Sequence, residues 1–434
     1  MTEIKTGFER FLELPTFDRS RPAPGQDDFF DLSRFQRFLD QIGNPEKGLP
    51  VIHVAGSKGK GSTCVLIGGA LQALGKRVGV FMSPYLREPT EAIFVDGAPM
   101  TKQTFDKLFE QYSKVIDDLA PANFVTSFEV LTAMALQHFH DEDVDFAIME
   151  TGLGGRLDAT NAVESPILSI ICPIEKEHTD ILGNSITSIA YEKLGIVRED
   201  TPVVIAHQAD SMILDFARTA CMQKKAKPIV VPNRYEAAIL ERTTDNYSFR
   251  LTTPTRRIPR IKLALLGEHQ IQNSMTAWAA LDELLPEFDP GPVLDVFEHL
   301  TLPGRFEYRI QGGKEVILDG AHTPESAAAL RKTLAEIYGG EPITFILAFL
   351  KDKDVTGFVR ELCRYGDAVV LTQINHPRAL PARIAQDQIK DMLRHQNITC
   401  AITNNLRIAW QKAGKLAGRS PICVTGSFKL IEAF

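Results

Sequence analysis

The sequence has 434 residues, 44% hydrophobic and 24% charged, with a net charge of −7. That length exceeds what one core serves and predicts two or three domains of about 150 residues. The acidic balance argues against nucleic acid or an anionic membrane surface as the main partner.

No apolar run approaches the ~20 residues of a membrane span, and the N-terminus "MTEIKTGFERFLEL" has no signal-peptide core. A cytoplasmic protein is expected. Six scattered cysteines, with no C-x-x-C pair, read as reduced core residues. In chain order, apolar runs at 50–55, 77–83, 144–149, 167–172 and 202–206 predict strands. Helical patterns at 62–74, 102–119 and 128–140 lie between them. This alternation predicts a parallel sheet flanked by helices. Residues 235–263 read as β-hairpins, followed by a helix at 269–285. Pro303, Gly304, Gly312 and Gly313 mark a break. Beyond it, a second alternation predicts strands at 315–319, 343–349, 367–372 and 420–425, with helices at 324–338, 354–364, 383–395 and 404–417. The expected fold class is α/β. An N-terminal domain (1–305) carries a phosphate-binding loop on a mostly parallel sheet, and a smaller Rossmann-like domain spans 306–434.

The loop is "VIHVAGSKGKGSTCVL" (51–66). Gly56, Gly59 and Gly61 free the backbone between a strand and a helix, Lys60 brings a mobile cation, and Ser62 or Thr63 a hydroxyl. The common motif G-x-x-x-x-G-K-[ST] fails, because Gly61 stands where its hydroxyl residue should be. A nucleotide site also needs oxygen ligands for a hard cation, and parallel sheets gather functional groups at the carboxyl ends of strands. Ser83, Glu150 and His178 occupy such places. Read singly, Ser83 and His178 are also ordinary strand-end and surface residues. In the glycine-rich stretch 151–161, Arg156 and Asp158 are expected to pair with each other or to meet substrate. Read from its surroundings alone, Lys193 is a solvated helix residue.

The segments "HVAGSKGKGST", "SPYL", "METGLGGRLDATNAV", "EHTDILG", "YEKLGIV", "GEHQIQN", "PGRFE", "LDGAHTPES" and "DKD" occur in the order of one family. From about residue 26 to the end, the chain resembles folylpolyglutamate synthase / dihydrofolate synthase, a branch of the Mur-type ATP-dependent ligases. The resemblance implies that ATP phosphorylates a substrate carboxylate and that the amine of L-glutamate attacks the acyl phosphate. The acid is dihydropteroate or the terminal glutamate of a reduced folate. It implies ATP contacts at Gly56, Ser57, Lys58, Gly59, Lys60, Gly61, Ser62, Thr63, Asn273, Arg305 and Asp319. It implies Mg²⁺ ligands at Ser83, Glu150, His178 and Lys193 (as a carbamate), holding two ions, with K⁺ or another monovalent cation as a further expectation. Lys60, Lys193 and His322 take catalytic roles, His322 close to the glutamate acceptor. Thr126, Ser127, Phe128, Glu129 and Leu157 lie on the pterin side, where Phe128 and Leu157 also read as plain core. Closure of the two domains over ATP would exclude water from the acyl phosphate. A monomer is expected.

Several positions depart from the family pattern: Ser57 and Lys58 in the loop, Tyr85, Ala92, Glu177 and Thr323. Tyr85 and Ala92 bear on the acceptor more than on ATP chemistry. Two alternatives stand beside the leading reading. One is a Mur-type amide ligase for a different acid and amino acid. The other is a P-loop ATPase without ligase activity.

Overall fold

A computed structural model of the chain describes residues 5–16, 31–119 and 124–434. Residues 26–30, where the resemblance begins, lie outside these. The chain divides into two compact units. One comprises Met1–Ala237, Leu251–Ile258 and Gln272–Phe297. The other comprises Ala238–Arg250, Pro259–Ile271 and Glu298–Phe434.

The first unit is built on β1 (Val51–Ala55), β2 (Val78–Phe81), β3 (Ile93–Val95), β4 (Ala98–Pro99), β5 (Phe146–Glu150), β6 (Leu168–Ile171), β7 (Pro202–Ile205) and β8 (Lys227–Val230). They form one sheet in the order β4-β3-β2-β5-β1-β6-β7-β8. Pairing is parallel from β2 across to β8, and antiparallel at the β2–β3 and β3–β4 edge. The central strands are covered on both faces, so their sequences are continuous apolar runs. Phe81, Ala133, Leu136, Phe139, Ala147 and Met149 belong to the core on one side, and Ile171, Ile189, Val203 and Ile205 to a second cluster.

Register places the chemistry. Val54 of β1 pairs with Glu150 of β5, and Ala55 with Ile171 of β6. The turns after β1, β5 and β6 therefore leave the sheet side by side at its carboxyl edge, the location at which α/β sheets bind ligands.

A three-stranded sheet, β11-β10-β9, follows from β9 (Glu236–Arg242), β10 (Tyr247–Thr252) and β11 (Arg257–Leu263). The second unit holds β12 (Glu307–Gln311), β13 (Lys314–Leu318), β14 (Thr344–Leu347), β15 (Ala368–Leu371), β16 (Thr399–Ile402) and β17 (Ile422–Thr425) in the order β12-β13-β17-β14-β15-β16. All its pairs are parallel except β12–β13. The pair Gly312-Gly313, read in the sequence as a break, is the turn of that hairpin, with φ of 57° and 71°. Two consecutive left-handed residues suit the twist of a tight hairpin. Among the described residues no helix is long and apolar enough to cross a membrane.

Candidate active site

All five residues of β1 are buried. Beyond Gly56 the helix Lys60–Ala73 begins, with Gly59 at its N-cap, left-handed at φ 78°, and no side-chain cap. An uncapped helix start leaves its first N–H groups for an anion. A β-carbon at position 59 would lie 2.4 Å from Asn273 Oδ1, so Asn273 packs directly on the turn.

Two lysines converge beneath it. Lys60 Nζ donates to the Gly56 carbonyl at 3.0 Å, and Lys193 Nζ donates to the same oxygen at 2.9 Å. Each also faces a carboxylate: Lys60 lies 3.9 Å from Glu150 Oε1, and Lys193 2.8 Å from Glu177 Oε1. Lys193 is 1% exposed, so the surface position expected from its surroundings in sequence is wrong. Burial pulls its ammonium down to about 8 against the opposing pull of Glu177. Burial pushes the Glu177 carboxyl up, but Lys193 and Lys60 outweigh it and hold the group at about 2.

The loop hydroxyls face elsewhere. Ser57 Oγ donates to the Glu175 carbonyl and accepts from the Glu175 N–H, both at 3.0 Å. The N–H groups of Ser57 and Lys58 donate to the Pro173 carbonyl. Ser57 thus ties the phosphate loop to the turn after β6, which carries Glu177 and His178. Ser62 and Thr63 are buried, and Thr63 Oγ1 lies 3.6 Å from Cys172 Sγ. Gly61 brings the helix close to Glu150: a β-carbon there would sit 3.5 Å from Glu150 Oε2.

Glu150 Oε2 accepts from the Ser83 N–H at 3.3 Å, which brings together two of the expected cation ligands. His178 is exposed on the neighbouring turn, held left-handed at φ 46°, a conformation that costs energy for a residue with a β-carbon. Among the described residues, no three His, Cys, Asp or Glu side chains form a ready-made metal cage. The nearby donors are instead mixed oxygens. Thr151, next to Glu150, buries its hydroxyl without a hydrogen-bond partner. Such an orphan is explained by a ligand or an ordered water. A buried carboxylate held by the Ser83 N–H, at an uncapped helix start with two lysines, fits a hard cation that keeps phosphate oxygens and waters among its ligands.

On the acceptor side, the helix Ser127–Asp141 opens with a capping box between Thr126 and Glu129. Glu129 also pairs with Arg34 at 2.8 Å, both nearly buried. Burial raises the Glu129 carboxyl, with Arg34 opposing. These two expected pterin contacts are therefore engaged in holding the helix start. Ser127, Phe128 and Leu157 are half-buried. Phe128 packs on Phe81 at 5.7 Å between ring centres. A β-carbon at Gly152 would meet the Phe128 ring at 2.5 Å.

The expected pairing of Arg156 with Asp158 is also wrong. Arg156 pairs with Glu192 at 2.9 Å. Asp158 braces its own turn, accepting from Leu153 N–H at 2.8 Å and from Thr160 Oγ1 at 2.6 Å. The buried His53 imidazole supports Thr160 at 2.8 Å. Sequence reading missed His53 and Arg34, since neither sits in a pattern that separates it from ordinary core.

In the second unit, Asp319 accepts from Phe306 N–H at 2.8 Å and from Ala321 N–H at 2.9 Å, so one carboxylate oxygen braces the backbone beside Arg305 and the other braces its own turn. His322 Nδ1 lies 2.8 Å from the Gly320 carbonyl. A carbonyl only accepts, so Nδ1 carries the proton and Nε2 is the acceptor atom of the neutral ring.

Residues 54–281 match the family described as Mur ligase middle domain, and 305–433 that described as dihydrofolate synthetase, C-terminal domain. The dihydrofolate synthase/folylpolyglutamate synthase of Mycobacterium tuberculosis is 31% identical over 430 residues, covering 91% of this chain and 87% of that protein. The chain belongs to the folylpolyglutamate synthase / dihydrofolate synthase family of Mur ligases. Saccharomyces cerevisiae dihydrofolate synthetase is 30% identical over 92% of this chain and 95% of its own. A bifunctional folylpolyglutamate synthase/dihydrofolate synthase from Yersinia pestis, solved with AMPPNP and Mn ion, superposes with a TM-score of 0.81 at 26% identity, covering 96% of this chain and 95% of that one. Members of this family are ATP-dependent ligases, which sets aside the reading as a P-loop ATPase without ligase activity.

Proposed function

We propose that the chain adds L-glutamate to the carboxylate of dihydropteroate, using ATP and a divalent cation, in the cytoplasm and as a monomer. The observation that carries this is the convergence of Lys60 and Lys193 on the Gly56 carbonyl, at an uncapped helix start flanked by Glu150 and Ser83. Lys60 and the helix-start N–H groups neutralise a transferring phosphoryl group, Lys193 and Glu150 flank them as cation ligands, and none of these does covalent chemistry on the phosphoryl group, which is the requirement of acyl-phosphate formation. Dihydropteroate is favoured as acceptor because the C-terminal match and the yeast relative are both dihydrofolate synthetases. Extension of a folate glutamate tail is the second reading, favoured by the name of the mycobacterial relative.

In this reading Lys60 and the N–H groups opening the helix at Lys60 hold the ATP phosphates. Ser83, Glu150 and His178 are the cation ligands, with Lys193 as a carbamate, in a domain ending near residue 305. A divalent cation would supply charge neutralisation between phosphate oxygens and Glu150. Conversion of Lys193 to a carbamate places an anion beside Glu177, and a second cation is what makes that pair tolerable. Ser127, Phe128 and Leu157 face the pterin, Asn273 the nucleotide, Arg305 a phosphate, and His322 Nε2 accepts from the glutamate ammonium. K⁺ or another monovalent cation remains part of the proposal.

Mass analysis of products from dihydropteroate and from tetrahydrofolate, each with Mg²⁺-ATP and glutamate, tests it. One glutamate added to dihydropteroate is expected. Phosphate release indifferent to glutamate and acceptor would sink the reading. Gly152→Ala is expected to push Phe128 aside and raise the acceptor KM by roughly 10-fold, with the KM for ATP little changed. Steady-state kinetics with each substrate varied in turn checks this.

A further inference from the structure

Phe428 belongs to no motif, yet two other loops of the second unit meet on its ring. It opens the short helix Phe428–Ile431 after β17, where Ser427 is the N-cap. A β-carbon at Gly320 would lie 2.2 Å from the Phe428 ring, and one at Gly304 would lie 3.4 Å from it. The His322 ring centre is 6.3 Å away. The Arg305 guanidinium carbon stands 4.3 Å from the centre of the Phe428 ring.

The backbone on either side of Arg305 is independently fixed. Gly320 N–H donates to the Gly304 carbonyl at 2.9 Å, and Phe306 N–H to Asp319 at 2.8 Å. Those bonds set where the Arg305 side chain starts. They do nothing for where a long, rotatable side chain ends, and holding such a chain in one rotamer opposes its entropy. A ring face under the guanidinium attracts the cation without using any of its five N–H donors. The ring contact itself therefore does not compete with an anion for those donors. Phe428 is itself held, because the glycine at 320 lets the ring lie against the backbone and Gly426 N–H donates to the Ala321 carbonyl.

We propose that Phe428 is a positioning residue for nucleotide binding, its ring fixing the Arg305 guanidinium for a phosphate group while backing the Gly320–His322 turn. This rests on the reading of Arg305 as a phosphate contact. The test is a double-mutant cycle on the full-length enzyme with ATP varied. Phe428→Leu keeps an apolar side chain of similar bulk and removes the π face. It is expected to raise the KM for ATP roughly 3- to 10-fold, the size of a lost cation–π contact, with kcat and the KM for glutamate within about twofold. Arg305→Ala should raise the KM for ATP at least as far, and Phe428→Leu should add nothing on top of it. Phe428→Met makes the same prediction should the leucine variant express poorly. An undiminished effect of Phe428→Leu in the Arg305→Ala background overturns the proposal. So does a fall in kcat and melting temperature with the KM for ATP unmoved, which marks a merely structural ring. An Arg305→Ala enzyme with unchanged KM for ATP removes the phosphate reading of Arg305 itself, and the proposal with it.

Discussion

Replacing Lys193 by methionine is expected to cost at least about 10²–10³-fold in ligase turnover and to destabilise the first unit by about 3 kcal/mol. The two losses have different origins. Stability falls because Lys193, 1% exposed, is the hydrogen-bonded partner of the Glu177 carboxylate, and its removal strands a charge in a water-poor site. Breaking one side of a buried pair is far more damaging than replacing both sides. The double variant Lys193→Met/Glu177→Gln should therefore regain much of the stability. Activity is expected to stay lost, because the neutral pair offers no nitrogen that accepts CO2 and so no carbamate to hold a cation. Lys193→Arg separates the effects from the other direction. Arginine keeps a cation for Glu177, but its guanidinium stays protonated and forms no carbamate. It should unfold close to the parent enzyme and turn over as poorly as the methionine variant. Thermal unfolding and glutamate-dependent phosphate release on the three variants check this. A Lys193→Arg enzyme with near-normal turnover would refute the carbamate and leave Lys193 as an ion-pair partner only.

Lys193 also shows why part of the site could not be read from its own surroundings. In sequence it is a lysine in the last turn of Ile186–Leu194, where a cation normally faces water. Its burial is imposed from outside the helix, by Gly56 and Glu177, at separations of 137 and 16 residues. Only the resemblance singled it out. The strands behaved oppositely. β1, β5, β6 and β7 are central and covered on both faces, so each is a continuous apolar run that needs no partner to be seen. The strands β3, β4, β8, β12 and β16, which lie at or next to a sheet edge, passed unrecognised, being two to five residues long and partly exposed, too short for a pattern to be read. Thr126 and Glu129 illustrate a third case. The spacing T-x-x-E at a helix start is a capping box by local chemistry alone, and the structure uses it so. The resemblance also names these two residues on the pterin side, which local spacing alone could not suggest. Gly312-Gly313 is similar: glycine pairs punctuate both domain breaks and hairpins, and only the pairing of β12 with β13 tells which. The phosphate loop was legible because strand, glycines and helix are contiguous. What it ties to was not, since Ser57 reaches Glu175 across 118 residues.

The second large effect is expected at Gly59, with Gly61 as its control. Alanine at 59 must hold φ at 78°, which costs about 1–2 kcal/mol for a residue with a β-carbon. Its methyl would also lie 2.4 Å from Asn273 Oδ1. Either the turn opens or Asn273 moves, and both disturb the N–H groups that open the helix. Gly59→Ala should lose ATP binding by roughly 100-fold or more, seen as a KM beyond the accessible range or as loss of nucleotide-dependent thermal stabilisation. Gly61 has no such constraint. It lies within the helix Lys60–Ala73, and a β-carbon there meets only Glu150 Oε2, at 3.5 Å, an ordinary contact. Gly61→Ala should leave the fold as stable as before, or firmer by up to about 0.5–1 kcal/mol, because glycine is the costlier helix residue. Its methyl nevertheless fills the gap between the helix start and the Glu150 carboxylate. If phosphate and cation meet there, the variant should need several-fold more Mg²⁺ for half-maximal rate while its nucleotide-free melting temperature stays level or rises. Titration of Mg²⁺ at saturating ATP gives the answer. Unaltered Mg²⁺ dependence in a well-folded Gly61→Ala enzyme would place the cation away from that gap and remove the reason proposed here for a glycine, and no hydroxyl residue, after the loop lysine.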